Sequence, residues 1–263
     1  MIEEKYLETL NKMRLIDDTF FSAFFDNNEE DVEYILRIIL EKADLKVIKV
    51  QTQKSVENMY GRSVRFDVFA TDDAGKLYNI EVQRTDAGAV PTRARYNSSM
   101  LDYHKLKKKA KYNELPETYV IFFTENDVLK SSEKIYHIDR VIRETQKLFE
   151  DGTHIIYVNG SFKGEAGKPL DDLIHDFFCD KPEEMRHRQL AERVEFLKSN
   201  KSGVKKMCKL MEDLQKEAAE ESKKATLLEN IRALMETTKW SAQQAMDALK
   251  IPADEQEKYI ALI

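Results

Sequence analysis

The sequence holds only two cysteines, Cys179 and Cys208, in 263 residues. Two thiols cannot build a disulfide framework, and no Cys/His spacing resembles a zinc site. A reducing cytoplasm is therefore the expected location. No apolar run approaches the ~20 residues of a membrane span. The first residues, Met1-Ile2-Glu3-Glu4-Lys5, are charged where a secretory signal would be apolar. No membrane partner is expected. A basic excess is also missing: 42 Lys and Arg stand against 48 Asp and Glu, for a net charge of -6. The usual electrostatic footprint of a nucleic-acid-binding domain is thus absent from the total. We find no internal repeat and no Gly-rich phosphate loop, since Gly152, Gly160, Gly164 and Gly167 fall in turns. His137, His154 and His175 have no nucleophile at a useful spacing, so core, cap or surface roles explain them better than a catalytic triad.

What is present is a short hairpin with an uneven charge pattern. Arg65-Phe66-Asp67-Val68-Phe69 leads through the turn Thr71-Asp72-Asp73-Ala74-Gly75-Lys76 to Tyr78-Asn79-Ile80-Glu81-Val82-Gln83. Strand side chains alternate with period two. Asp67 then shares a face with Arg65 and Phe69, while Phe66, Val68 and Ala70 take the other. Asn79, Glu81 and Gln83 share a face of the return strand. A turn centred near Ala74 sets Asp67 beside Glu81 and Arg65 beside Gln83. Cross-strand neighbours have Cβ atoms about 4.5–5.5 Å apart. Two carboxylates so close repel unless a proton or cation lies between them. A solvated polar face is the plain reading of such a hairpin; a divalent-metal site is the sharper one, because magnesium takes carboxylate and water oxygens.

The charge is also uneven along the chain. Between Arg84 and Lys111 there are eight basic residues against two acidic ones. That strip suits a phosphodiester substrate beside an acidic site; a helix end matching its own dipole is the alternative for Lys105 to Lys111. On the helix expected over Thr92–Lys109, Arg93, Tyr96, Met100 and Tyr103 share one face and Arg95, Ser99 and Asp102 another. Core burial is the competing role for Tyr96 and is favoured for Tyr103.

Amphipathic spacing predicts helices over Glu3–Arg14, after Asp17 or Asp18, and over Glu30–Ala43. Phe20, Phe21, Phe24 and Phe25 form a core stripe. Asp18 is read as a helix cap or as an outer member of the acidic cluster. Strands are expected over Leu45–Gln51, Ser63–Thr71, Lys76–Arg84, Glu117–Thr124, Lys134–Ile138 and His154–Val158. Residues Glu133 to Glu150 extend the sheet in this reading. From Pro169 onward the pattern is helical: Leu170–Phe178, Pro182–Lys198, Val204–Lys224, Leu227–Glu236, Ser241–Lys250 and Pro252–Leu262. Trp240 is expected to pack where the last segments meet. The Met207, Leu210, Met211 and Leu214 stripe reads as a docking face or coiled-coil seam. The final helices suit packing or oligomerisation; a helix-turn-helix is the other outline, with few basics for a groove reader.

The hairpin resembles the PD-(D/E)XK nuclease superfamily, with an Asp on one strand and an (Asp/Glu)-x-Lys on the next. More narrowly it resembles the Rpn family of recombination-promoting nucleases, also described as PD-(D/E)XK family putative transposases. The runs Gly61-Arg62-Ser63-Val64-Arg65-Phe66-Asp67-Val68 and Tyr78-Asn79-Ile80-Glu81-Val82-Gln83-Arg84 carry the resemblance. Pro91-Thr92-Arg93-Ala94-Arg95-Tyr96 and Asp151-Gly152-Thr153-His154-Ile155-Ile156-Tyr157-Val158-Asn159-Gly160 add to it. The resemblance spans roughly Asp18 to Ile263. It implies an α/β, restriction-endonuclease-like αβββαβ core with a mixed central sheet, here over residues 1–180, and a helical C-terminal extension over residues 181–263. Asp67 and Glu81 carry over as ligands of Mg2+ or Mn2+. Gln83 takes the place of the superfamily's lysine, a version common in the Rpn group. Near the start, the family's Asp-x-x-Phe-Lys-x-x-Phe is matched by Asp18, Phe21 and Phe25, with Ser22 replacing the lysine.

These readings converge on a metal-dependent DNA endonuclease linked to recombination or mobile elements. Asp67, Glu81 and Gln83 form its catalytic set. Arg62, Arg65, Arg93, Arg95 and Tyr96 are its nucleic-acid contacts, with Asp18 as an outer acid. The C-terminal helices offer a homodimer contact. The alternative is a nuclease fold that binds nucleic acid or a protein without cutting.

Overall fold

A computed structural model describes residues 2–58, 61–260 and 262–263, with side chains from Tyr6 onward except Asp254 and Lys258. The first helices are α1 (Ile2–Lys12), α2 (Asp18–Phe25) and α3 (Glu29–Leu40). Asn28 caps α3, its side chain accepting from Asp31 N. Strands β1 (Val47–Val56), β2 (Val64–Asp72) and β3 (Leu77–Gln83) follow as an antiparallel meander. Helix α4 (Pro91–Lys105) then crosses to β4 (Thr118–Thr124), which lies parallel to β3. The expected αβββαβ order is therefore the order of the fold, in a mixed α/β structure.

Two more strands complete a six-stranded sheet. Strand β5 (Ile135–Ile138) pairs antiparallel with β8 (Thr153–Asn159), which lies parallel to β4, giving the order β1-β2-β3-β4-β8-β5. The stretch between them does not widen this sheet. It forms a separate ribbon of β6 (Val141–Ile142) and β7 (Lys147–Leu148). Its Val141, Ile142 and Leu148 are exposed, so no apolar face draws it onto the main sheet.

Every residue of β4 is buried. Parallel strands covered on both faces read as continuous apolar runs, and Tyr119-Val120-Ile121-Phe122-Phe123 is one. Helix α4 covers one face: Ala94, Met100 and Leu101 pack with Phe66, Phe69, Leu77, Val120, Phe122 and Tyr157. The α2 phenylalanines are fully buried toward the other face, where the Phe177 ring of α5 (Pro169–Phe177) stacks on Phe123 with centroids 3.9 Å apart.

Strict alternation fails at one place. Phe66 was expected opposite Phe69, yet the two rings stack with centroids 6.2 Å apart in the same apolar cluster. The β1–β2 ladder skips the Gln53/Asp67 pair, and Gln53 has φ 49°, a left-handed conformation. A residue in that region breaks the pleat locally. Tyr103 also departs from its expected core role, being 51% exposed.

Helix α6 (Arg188–Ser199) starts later than Pro182 suggests. Pro182–Glu184 makes a single 3-10 turn, and Asp176 then accepts the backbone N–H groups of Arg186 and His187 at 2.8 Å each. Those bonds hold the chain extended until Arg188. Lys198 of α6 donates to the carbonyls of Asn11 (3.0 Å), Met13 (2.6 Å) and Asp180, tying α6 to the N-terminal segment.

The chain separates into two compact units, Met1–Cys208 and Lys209–Ile263. Composition changes near residue 180, but packing keeps α6 with the first unit through buried Leu190, Val194 and Leu197. Helix α7 (Lys201–Thr238) runs through the two segments expected over Val204–Lys224 and Leu227–Glu236 without a break. Thr226 is absorbed because its hydroxyl donates to Ser222 O at 2.9 Å. In the second unit, α8 (Ala242–Ala248) opens on a Ser241/Gln244 capping box, and α9 (Ala253–Ile260) follows. Ile231, Ala245, Met246, Ile251 and Tyr259 make its core. Trp240 is 42% exposed and does not join it. Ala261, one residue before the expected end of the last helix at Leu262, lies outside the described residues. Among the described residues no helix is long and apolar enough to cross a membrane.

Candidate metal centre and cleft

The β2–β3 register runs from Thr71–Leu77 to Val68–Ile80, which sets Asp67 next to Glu81. The ladder ends there, and Asp67 Oδ2 accepts instead from Val82 N at 3.2 Å. Asp67 is 7% exposed and Glu81 not at all. Asp67 lines the adjoining cleft, while Glu81 is sealed beneath its floor, where Arg93 meets it.

Burial raises both acids, because a low-dielectric setting disfavours charge. Asp67 stands well above the usual carboxylate range, through burial first and then the charges of Glu81 and Asp18. Glu81 is pushed up to about 7 by burial, against the opposing pull of Arg93. Arg93 donates from Nη2 to Glu81 Oε2 at 2.9 Å and from Nη1 to Gly88 O at 2.9 Å. Glu81 Oε1 is buried and makes no regular hydrogen bond, and of its neighbours the Asn79 amide favours its charged form. Hard carboxylate oxygens lacking a sufficient counter-charge fit a divalent ion such as Mg2+.

The cleft to which Asp67, but not Glu81, opens is roughly 880 Å3. Asp18, Arg62, Arg65, Gln83, Arg93 and Tyr96 are among its lining residues. Asp18 Oδ1 accepts from Gln53 Nε2 (3.2 Å) and Ser22 Oγ (3.5 Å), so Ser22 serves this acid instead of reaching a phosphate. The expected cap at α2 is absent, since Asp17, at the cap position, makes no side-chain cap bond. Asp17 instead pairs with Arg84, whose Nε also meets Glu125 at 2.8 Å. Among the described residues Arg62 and Arg65 form no ion pair. Tyr96 donates its hydroxyl to Arg62 O, which fixes the loop at the cleft rim. Arg95 does not reach the cleft; it is exposed on α4 beside Ser99, whose hydroxyl donates to its carbonyl.

Two contributors escaped the sequence reading. Gly88 sits in the 3-10 turn Asp86–Ala89, and a Cβ there would stand 1.9 Å from Gln83 Oε1. Only a glycine leaves room for that amide. Asn79, two residues before Glu81 on the same face, is fully buried and its amide favours the charged form of Glu81, although neither amide atom makes a regular hydrogen bond. Its one signal is an amide within the strand Leu77-Tyr78-Asn79-Ile80.

A second close grouping joins His175, Asp176 and Cys179. Here Asp176 already accepts from Arg186 N, His187 N, His187 Nδ1 and His175 Nδ1 at 2.8–3.1 Å. With its oxygens so engaged it is a structural hub and not a ligand.

Residues 20–258 match the family model described as PD-(D/E)XK nuclease family transposase. No curated protein and no solved structure matches the chain.

Proposed function

The chain belongs to the PD-(D/E)XK nuclease family transposases, and from that premise we propose that it is a divalent-metal-dependent DNA endonuclease acting in recombination or mobile-element biology. The carrying observation is the adjacent buried acids Asp67 and Glu81, both raised in pKa, with Asp67 lining a cleft where Arg62 and Arg65 form no ion pair among the described residues. Asp67 and Glu81 would hold Mg2+ or Mn2+, which when bound would supply charge stabilisation at the phosphate and a more acidic water. Gln83, whose amide lies close against the Gly88 turn, orients the attacking water. Arg62 and Arg65 hold the DNA backbone from the rim, and Arg93 adds a guanidinium beside Glu81. Attack in line expels one ester oxygen, and positioning of this kind supplies most of the catalysis in phosphoryl transfer. Asp18 raises the negative field around the pair and so favours a cation. Two buried cysteines, too few for a disulfide framework, suit a reducing cytoplasm. The helical second unit is the element proposed to pair two copies, as breakage of both strands needs.

The test is supercoiled plasmid with Mg2+ and purified Glu81→Ala protein. Cutting should vanish while the thermal melt stays cooperative, and chelator should stop the parent. Cutting at the parental rate in Glu81→Ala refutes the assignment. A second reading, binding without cleavage, is favoured by Gln83 at the lysine position and by the Arg93 contact on Glu81. Calorimetry with Mn2+ separates the two: stoichiometric binding that is lost in Asp67→Ala supports the enzyme, and no binding supports the scaffold.

A further inference from the structure

Helix α4 carries a further polar residue at the cleft, Asn97. It follows Arg93 by four residues, so the two share a face, one turn or ~6 Å apart. Arg93 is already engaged, with Glu81 Oε2 and Gly88 O. Asn97 is not. It is only 3% exposed, yet it lines the cleft with Asp67, Arg62 and Arg65. Its amide makes no hydrogen bond with any of the described residues. The nearest polar groups on α4 are spent elsewhere: Tyr96 donates to Arg62 O and Ser99 to Arg95 O. A buried amide left unpaired is costly. The protein offers this one nothing, so its partner must enter from the cleft.

The surroundings decide what that partner is. Arg93 occupies the turn of α4 next to Glu81, and Tyr96, one turn on, reaches Arg62. The helix therefore leads from the acids toward the two arginines that form no ion pair among the described residues. Asn97 stands on that positive side, a turn away from the Glu81 contact. A cation has no reason to settle there, whereas a phosphate has. We propose that Asn97 is a phosphate-contact residue, its Nδ2 donating to a non-bridging oxygen of the DNA backbone beside the phosphate that is cut. Contacts of this kind fix the register of the strand and carry no sequence information. A neutral donor adds to Arg62 and Arg65 without adding charge. Which phosphate is cut rests on the nuclease reading; the contact itself does not.

Binding can be measured apart from cutting. Full-length protein in chelator is titrated with two fluorescein-labelled duplexes of unrelated sequence. Asn97→Ala should weaken both by about tenfold, the ordinary weight of a hydrogen bond to a charged group. The slope of log affinity against log salt should stay as it was, because no charge is lost; Arg62→Ala should lower that slope by about one. Asn97→Asp sets a carboxylate against the phosphate and should weaken binding beyond the alanine variant. The melt of Asn97→Leu, which keeps the bulk, should not fall, since no internal hydrogen bond is removed. Unchanged affinity in Asn97→Ala overturns the proposal. So does a loss confined to one sequence, which marks a base contact, or tighter Mn2+ binding in Asn97→Asp with DNA affinity retained, which marks a metal ligand. If Asn97→Ala does not fold, Asn97→Leu decides by the same criteria, and failure of both to fold makes the residue structural and ends the proposal. A parent that binds both duplexes but cuts neither in Mg2+ refutes the nuclease assignment, while these affinities still decide the contact. A parent that binds neither refutes both.

Discussion

Replacing Gly88 by alanine should slow DNA cutting without loosening the fold. The added Cβ would lie 1.9 Å from Gln83 Oε1 and 2.9 Å from Gln83 Cδ, where ordinary contact begins near 3.4 Å. The amide oxygen must retreat by about 1.5 Å, the difference between contact and the built position. The backbone is not the obstacle, since the nearest atoms belong to the end of a flexible side chain. Alanine also narrows the unfolded ensemble, which stabilises by about 0.4–1 kcal/mol where the native conformation accepts it. The melt should therefore hold or rise slightly. A misplacement of ~1 Å in a group that orients a reactant can cost about a hundredfold in rate. We expect cutting in Gly88→Ala to fall by roughly tenfold to a hundredfold.

The assay is plasmid nicking under single-turnover conditions, with melts alongside. A double-mutant cycle identifies the cause. In Gln83→Ala the clash has no target, so adding Gly88→Ala should change the rate little further; coupled neighbours show such non-additivity. If Gly88→Ala cuts at the parental rate, Gln83 does not orient the water. Equal loss in both backgrounds would mean that the turn acts elsewhere, for instance through the Gly88 carbonyl on Arg93.

Three further expectations follow from the same contacts. Arg93→Ala removes the cation from Glu81 Oε2, so Mn2+ affinity by calorimetry should rise by about tenfold, the equivalent of ~1.4 kcal/mol, even as cutting falls; weaker Mn2+ binding would contradict the contact's competing role. Asp176→Asn should destabilise the fold by about 2–4 kcal/mol in urea melts, since a buried four-bond acceptor is disrupted. Burial raises the Asp176 pKa, but hydrogen bonds from His187, Arg186 and His175 outweigh it and leave it below the ordinary value. Its contribution is therefore complete above the unfolded carboxylate pKa and fades as pH falls through the folded one, so the parent should lose stability in acid more steeply than Asp176→Asn.

Much of the site could be read from the chain because a hairpin is a local object. The turn Thr71–Lys76 fixes the register, and period two then brings Asp67 beside Glu81. The helix–strand order was also legible, since β4 is a continuous apolar run and α2 a phenylalanine stripe. What escaped depended on distant partners. Phe66 joined the Phe69 face beside the point where the β1–β2 ladder skips the Gln53/Asp67 pair. Arg93 reached Glu81 only once α4 lay across the sheet. Asp176 gathered bonds from a loop ten residues on. Gly88 looked like any loop glycine until Gln83 filled its missing side chain.

The buried acids and the acidic total charge have a common physical sense. A strongly basic nuclease surface would hold polyanions anywhere. Here Arg84, Arg14 and Lys206 are paired with acids on the first unit, while Arg62 and Arg65 at the cleft have no such partner among the described residues. The cleft thus offers uncompensated guanidinium groups to phosphate, although the whole chain carries a net charge of -6. Asp67 and Glu81 sit where that positive field meets burial. The field draws a polyanion in, and burial leaves the acids short of charge compensation until a cation joins them. Either half alone would do less: exposed acids would repel the strand, and a basic cleft without them would bind it and stop.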